Sequence, residues 1–235
     1  MQKLSALPVN YDPDALDLEH PPAGWTVDDR RQPLPAEPPG SPVPGGSWET
    51  ARRLIGGYEF ADPSMVRAYY EAQDPYPGRD MLLELRALGV FKVRVGVRVS
   101  EVFDDTRIVD GREARVAGWS YRTLQGHVEQ GQMDWEVWKW LDTGEVDFRV
   151  HSVSRSASIS NPFIAVGFWL LKAHERRLFL DSTAQRMLSF TELGSNSDGR
   201  GQRIREASGG LTARRLSPED PAHGELARQV DARNA

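Results

Sequence analysis

Cysteine is absent from the 235-residue sequence. Its absence excludes disulfide bonds, thiolate nucleophiles and cysteine-ligated metal sites. Positive charge is also in short supply, because 29 Lys and Arg residues face 34 Asp and Glu residues and the formal net charge is −5. Broad affinity for nucleic-acid phosphates needs clustered cations, so we expect no nucleic-acid partner. A small basic pocket is still compatible with this composition.

Long hydrophobic runs are missing as well. The longest uncharged apolar run covers residues 163–171, whereas a membrane-spanning helix needs roughly 20 such residues. The N-terminal residues lack the apolar centre of a signal peptide. We therefore expect a soluble, cytoplasmic protein without a membrane span.

Several catalytic motifs are also absent from the sequence. It contains no glycine-rich phosphate loop, no serine in a nucleophile elbow and no set of metal ligands at helical spacing. We accordingly predict no metal and no cofactor. Whether the protein is an enzyme stays open.

The distribution of proline and apolar residues divides the chain into three segments. Residues 1–47 are rich in proline, which disfavours helix, and we predict an extended arm with one strand near residues 25–32; a disordered leader is the alternative. Residues 48–193 carry nearly all the apolar density and are predicted to form a single α+β domain. Residues 194–235 contain few large apolar groups and are predicted to be a flexible polar tail.

Two helices are predicted at the start of the α+β domain. The first covers residues 47–56, with Ser47 as its N-cap. The second follows Asp62 as a candidate N-cap and Pro63 at the first helical position, and it ends at residue 74. Its predicted apolar stripe consists of Met65, Val66, Tyr69 and Tyr70.

The pattern then changes to an alternation with a period of two. Val93, Val95 and Val97 alternate with charged or polar residues, which predicts a half-buried strand whose valines face the core. Turn signals at 104–105 and 110–111 flank it. Three further strands are predicted over residues 116–123, 133–141 and 145–154, the last two joined by a hairpin at 142–144.

A long helix is predicted over residues 161–188, with Asn161 as its cap and Pro162 at its first position. Short turns between the strands make them antiparallel neighbours, and one face of the sheet must be covered. We therefore predict an α+β fold in which an antiparallel β-meander curls around the long C-terminal helix, an arrangement called a helix-grip. A flat two-layer α+β sandwich is the alternative.

The central part of the chain resembles the DUF1990 family in three places. These are residues 123–127 (Thr-Leu-Gln-Gly-His), Gly131 and residues 154–155 (Ser-Arg). The resemblance extends over roughly residues 24–190 and implies a relative of helix-grip, lipid-transfer-like proteins, but no particular reaction. The chain departs from the family pattern at Gln132, where the resemblance leads us to expect an acidic residue.

The family-like segment supplies the candidate site, which consists of Tyr121, Thr123, His127, Glu129 and Arg155. On a regular strand His127 and Glu129 would share a face, as a general base with its orienting group or as two ligands of a metal. The alternative is a structural bend marked by Gly126 and Gly131, with His127 bonded to the backbone. Arg155 could bind an anionic group, hold the sheet edge or pair with Glu129.

Three functions are compatible with this sequence. The first is non-catalytic binding of a small apolar or amphipathic ligand between sheet and helix, in a pocket lined by Trp119, Trp135, Phe148 and Leu170. The second is an enzyme that uses His127 and Glu129 for proton transfer, with Tyr121 or Arg155 polarising a carbonyl. The third is a protein–protein interaction module that uses Trp138 and Trp140. Residues 174–177 are predicted to be a solvated turn of the long helix.

Overall fold

The computed structural model describes residues 4–71, 76–87, 91–157, 162–195 and 213–216. These ranges contain eight strands and two helices, in the order β1 (Thr26–Leu34), α1 (Ser47–Gly56), β2 (Val66–Glu71), β3 (Asp80–Ala87), β4 (Phe91–Val109), β5 (Arg112–Thr123), β6 (Glu129–Trp140), β7 (Val146–Ser156), α2 (Pro162–Ser195) and β8 (Ala213–Leu216). No helix in these ranges is long and apolar enough to cross a membrane.

All eight strands belong to one sheet, in the spatial order β1-β7-β6-β5-β4-β3-β2-β8. Every pairing from β1 to β2 is antiparallel, and only β8 lies parallel to its neighbour, β2. The predicted meander is therefore confirmed and is longer than expected. The strand predicted in the N-terminal arm is also confirmed, because β1 pairs with β7 along its whole length.

The main core lies between the sheet and the two helices. Val95 and Val97 are buried in the same cluster as Leu180, Met187 and Phe190 of α2. Lys92, which precedes the alternating valines, is exposed. The predicted register and the helix-grip arrangement are both confirmed, since one face of the sheet packs against the long helix.

The predicted helix after Pro63 is wrong. Residues 66–71 form strand β2, in which Val66, Ala68 and Tyr70 are buried on one face. The same apolar residues fit a period of two as well as a helical stripe, and valine and tyrosine favour strands. Pairing with β3 supplies the hydrogen bonds that an isolated short helix would lack.

The turn predicted at residues 104–105 is also wrong, because β4 continues through them to Val109. A register shift between Val99 and Glu101 provides the irregularity in this strand. The predicted turn at 110–111 is confirmed, with φ of 52° at Asp110 and 75° at Gly111. Ser47 does not cap α1 through its side chain; its hydroxyl donates to the carbonyl of Pro35 at 2.5 Å.

The end of the chain differs from the predicted flexible tail at two places. Helix α2 extends to Ser195, and β8 pairs with β2. The remaining residues after 195 lie outside the described ranges. The division into an arm (1–47), one domain (48–193) and a tail (194–235) stays a prediction.

Candidate functional site

The predicted site begins at the corner between β5 and β6. Gly126 has a φ of 85°, a left-handed conformation that glycine adopts without strain. The backbone amide of His127 donates to the carbonyl of Leu124 at 3.0 Å, which closes the turn. His127 therefore stands in a turn and not on a regular strand, so the predicted alignment of His127 with Glu129 on one strand face is wrong.

The His127 imidazole is buried and committed to the backbone. Its Nδ1 atom accepts a hydrogen bond from the Glu129 amide at 2.9 Å. Burial lowers the pKa of His127 to about 4, although the nearby Glu129 favours the charged form. The ring is therefore neutral near pH 7, and the lone pair on Nδ1 is already used. This geometry supports the structural alternative for the corner.

Thr123 joins the corner to the N-terminal arm. Its hydroxyl donates to Oδ1 of Asn10 at 2.6 Å and accepts from the Gly131 amide at 2.9 Å. The Asn10 amide group in turn donates to the Glu129 carbonyl at 2.8 Å. The sequence analysis missed Asn10, because nothing local links an arm residue to a corner more than a hundred positions away.

Glu129 directs its carboxylate to helix α2. Its two oxygens accept from Nη1 of Arg176 at 3.0 and 3.2 Å. The same guanidinium also bonds to Asp28 of β1 and to Ser152 and Ser154 of β7. The predicted solvated turn at 174–177 is therefore wrong for Arg176, whose side chain is only 14% exposed.

Arg155 has partners in β6 and in the N-terminal arm. Its Nε donates to Oε1 of Gln130 at 2.7 Å, and its guanidinium lies 4.7 Å from the centre of the Trp25 ring. Its observed partners thus hold the arm and the sheet edge. The carboxylate of Glu129 binds Arg176, and the structure brings no anion clamp together from the predicted residues.

Three of the four predicted pocket residues, Trp119, Trp135 and Phe148, lie in the main core. Trp135 is fully buried and stacks with Phe148 at a centroid distance of 6.2 Å and an interplanar angle of 8°. Phe179 of α2 meets the same indole edge-on at 6.2 Å. Trp119 is buried in the same cluster. The Leu170 side chain lies outside the described residues.

Tyr58 was not predicted, yet it occupies the centre of this aromatic interior. It lies between Trp119 and Trp135, with centroid distances of 5.9 and 6.2 Å. Tyr58 has a φ of 56° at the end of α1, where its amide donates to Ile55 and that of Glu59 to Leu54. This bonding is a Schellman motif, whose left-handed position is usually glycine.

The Tyr58 hydroxyl forms a hydrogen bond with that of Tyr121, which also donates to Sδ of Met133 at 3.3 Å. Burial raises the pKa of both phenols above the ordinary value. Both rings are therefore neutral at physiological pH. Tyr121, predicted as a group that polarises a carbonyl, faces the same interior as the tryptophans.

Polar atoms in the interior differ in how they are satisfied. The Trp119 indole donates its N–H to the carbonyl of Ile55 at 3.1 Å. In contrast, Nε1 of Trp135, Oγ1 of Thr183 and Oη of Tyr76 are buried and have no hydrogen-bond partner among the described residues. Buried polar groups are normally paired, so these three atoms are exceptions within the interior.

The second tryptophan pair lies on the opposite face of the sheet. Trp138 and Trp140 are 7% and 8% exposed. The guanidinium of Arg149 lies 4.2 Å from the Trp138 ring centre, and that of Arg112 lies 4.3 Å from the Trp140 centre. The chain's own arginines thus cover the surface on which the interaction-module hypothesis depends.

Three solved structures show low similarity to this chain. TTHA0849 from Thermus thermophilus has a TM-score of 0.42 and 11% identity, over 74% of this chain and 99% of that chain. Human STARD10 has a TM-score of 0.36 and 10% identity, over 87% of this chain and 86% of that chain. Ara h 8.0201 has a TM-score of 0.39 and 9% identity, over 71% of this chain and 99% of that chain. These similarities do not bear on function.

No curated protein matches the chain. The model of the DUF1990 family, described as a domain of unknown function, matches residues 10–186. The match runs from Asn10, which holds the corner, through the whole meander to Arg186 of α2, and it includes the segment whose residues resemble the family. The chain therefore belongs to the DUF1990 family.

Proposed function

We propose that this protein binds a small apolar or amphipathic molecule in the aromatic interior between the sheet and helix α2. The observation that carries the proposal is the indole N–H of Trp135, which is fully buried and has no acceptor among the described residues. A bound molecule that supplied an acceptor would satisfy it.

Two tryptophans that pair across β5 and β6 differ in how their indole N–H groups are satisfied. Leaving a buried donor without a partner costs about 1–3 kcal/mol. Trp119 avoids this cost through Ile55, whereas Trp135 does not. Thr183 lies one helical turn beyond Phe179 on α2 and is likewise buried without a partner among the described residues. A ligand lying against Trp135 and α2 could offset the cost of both groups.

The corner offers less support for a proton-transfer enzyme. Nδ1 of His127 already accepts from the backbone, and the carboxylate of Glu129 bonds to Arg176. A general base must reach the proton that it removes with a free lone pair. The contacts of His127 and Glu129 hold the fold together.

A fluorescent probe tests the proposed function directly. N-phenyl-1-naphthylamine is uncharged and becomes brighter on entering an apolar site, so titration should give saturable binding of one probe per chain. Thr183→Phe places a large ring in the interior and should weaken binding by about tenfold or more, the effect of losing ~1.4 kcal/mol. Gln185→Phe is the matched control, because Gln185 lies on the exposed side of the same helix.

Two results would contradict the proposal. One is the absence of saturable binding to the wild-type protein. The other is equal binding by both phenylalanine variants, which would place the probe on the surface. Native mass spectrometry of the protein from its own host gives an independent measurement, in which a retained small molecule is expected.

A further inference from the structure

We propose that the ligand is a flat, uncharged ring compound with a hydrogen-bond acceptor, and that the acceptor receives the indole N–H of Trp135. This inference rests on the proposed function and names the class of molecule that the same site would take. Three features of the interior support it: the chemistry of the unpartnered atom, the charges near it and the arrangement of the rings.

Nε1 of Trp135, which has no partner among the described residues, requires a hydrogen-bond acceptor. An indole Nε1–H can donate a hydrogen bond but cannot accept one. Only an oxygen or nitrogen with a lone pair, such as that of a carbonyl or ether, can satisfy Trp135. Oγ1 of Thr183 can donate as well as accept, and it is fully buried without a described partner. A carbonyl oxygen, with two lone pairs, could accept from both groups.

The charges around the interior disfavour an anionic ligand. The rings that contact Trp135 belong to Tyr58, Phe60, Phe148 and Phe179, none of which carries a charge at neutral pH. Arg176 of α2 already bonds to two carboxylates, those of Asp28 and Glu129. A carboxylate ligand would therefore lie among uncharged rings, and burying an uncompensated charge is costly.

The ring arrangement favours a planar molecule. The Trp135 and Phe148 rings are nearly parallel, at 8°, while Phe60 lies tilted against Trp135 at 4.5 Å. Aromatic groups interact best in offset-stacked or edge-to-face geometry, and a flat ligand can use both. Tyr58 adds a further ring where the backbone conformation usually requires glycine. Strained backbone positions cluster at ligand sites, and on this basis we assign Tyr58 a part in selecting the ligand.

Fluorene and 9-fluorenone form a matched pair of probes, because both are flat and they differ by one carbonyl oxygen. We expect the wild-type protein to bind fluorenone about tenfold more tightly than fluorene, the effect of one well-placed hydrogen bond. Trp135→Phe keeps a ring but removes the N–H, so it should bring the two affinities together. Trp119→Phe is the control, since that N–H is already bonded to Ile55, and it should retain the preference.

Two further measurements do not depend on the folding of the variants. Fluorene-2-carboxylate should bind the wild-type protein more weakly than fluorene. In the NMR spectrum of the wild-type protein, one indole N–H resonance should shift downfield on addition of fluorenone and not on addition of fluorene.

Four results would overturn the inference while leaving the proposed function intact, provided that N-phenyl-1-naphthylamine still binds. These are equal affinity of the wild-type protein for fluorene and fluorenone, no binding of either, an unchanged preference in a folded Trp135→Phe variant, and tight binding of the carboxylate. Failure of N-phenyl-1-naphthylamine to bind would instead reject the proposed function, and this inference with it.

Discussion

His127 shows how one residue can look catalytic in sequence and serve the fold in three dimensions. Imidazole, carboxylate and hydroxyl groups lie close together along the chain between residues 123 and 129. In the structure, Thr123 and His127 bond mainly to nearby backbone or to the arm, and Glu129 bonds to a helix. The polar groups of the corner hold the N-terminal arm, β5, β6 and α2 in contact.

The burial of His127 predicts a specific dependence of stability on pH. The pKa is about 4 in the folded protein, below its ordinary value of 6.5. Between these values the unfolded chain binds a proton that the folded chain does not. The stabilising contribution is therefore complete above about pH 6.5 and declines as the pH falls towards 4, by up to about 3 kcal/mol. Urea unfolding measured from pH 7.5 to pH 4 should show this decline.

The variant His127→Gln should flatten part of this slope, because glutamine does not titrate. His174→Gln is the matched control, since His174 is exposed on α2, and it should retain the wild-type slope. A slope in His127→Gln that is as steep as in the wild-type protein would contradict the assignment. Carboxylates elsewhere in the fold contribute equally to all three proteins and cancel in the comparison.

At the scale of the elements, Arg176 is the polar connection between α2 and the sheet. One guanidinium bonds to β1, β6 and β7. Its planar guanidinium presents five donors, more than the three of a lysine ammonium, and can serve all of these acceptors at once. Arg176 lies seven residues before Thr183 on α2. Its bonds therefore also hold in place the helix that covers the proposed ligand site.

Replacing Arg176 with methionine should loosen α2 more than it loosens the sheet. The variant keeps the apolar stem but removes the cation from two partly buried carboxylates, at an expected cost of about 2–4 kcal/mol. Hydrogen exchange should show the largest loss of protection in α2. Arg177→Met is the control, because Arg177 is 77% exposed and lies 3.8 Å from Asp181; it should cost less than about 1 kcal/mol. Equal effects of the two variants would reject the special role of Arg176.

At the scale of the whole molecule, a buried ion pair fastens the N-terminal arm to the sheet. Nζ of Lys139 lies 2.7 Å from Oε2 of Glu37, and the lysine side chain is fully buried. Burial by itself would raise the pKa of Glu37, but Lys139 and the amides of Trp48 and Val43 outweigh it and leave the pKa lowered. The arm, the start of α1 and strand β6 therefore meet at one carboxylate.

Removing one partner of this buried ion pair should lower the free energy of unfolding. Lys139→Met leaves Glu37 buried without its cation, and we expect a loss of about 3–5 kcal/mol in the free energy of unfolding. Adding Glu37→Gln to that variant should restore part of the loss, because no charge then stays buried. The control is Arg53→Met, which breaks an exposed pair with Glu59 and should cost less than about 1 kcal/mol. Strict additivity of the Lys139 and Glu37 substitutions would show that the two groups are not coupled.

Most of the architecture follows from local patterns in the sequence. The alternation of Val93, Val95 and Val97 predicted both a strand and its buried face, and the proline-led apolar segment predicted the long helix that begins at Pro162. Glycine-containing turn signals predicted the bend marked by Gly126 and Gly131 and the turn at residues 110–111. These features are readable because periodicity, turn conformation and helix starts depend on neighbouring residues.

Other features depend on contacts between residues that are far apart in the sequence. Residues 66–71 became a strand because β3 pairs with them, and Arg176 became buried because its partners come from three distant strands. Tyr58 lies in the core at the end of a helix. The indole N–H of Trp119 donates to Ile55, whereas that of Trp135 has no acceptor among the described residues. Whether a polar group is satisfied depends on which distant atoms surround it, and a linear pattern does not contain that information. The proposed ligand site therefore rests on the predicted pocket residues in the aromatic interior and not on the corner.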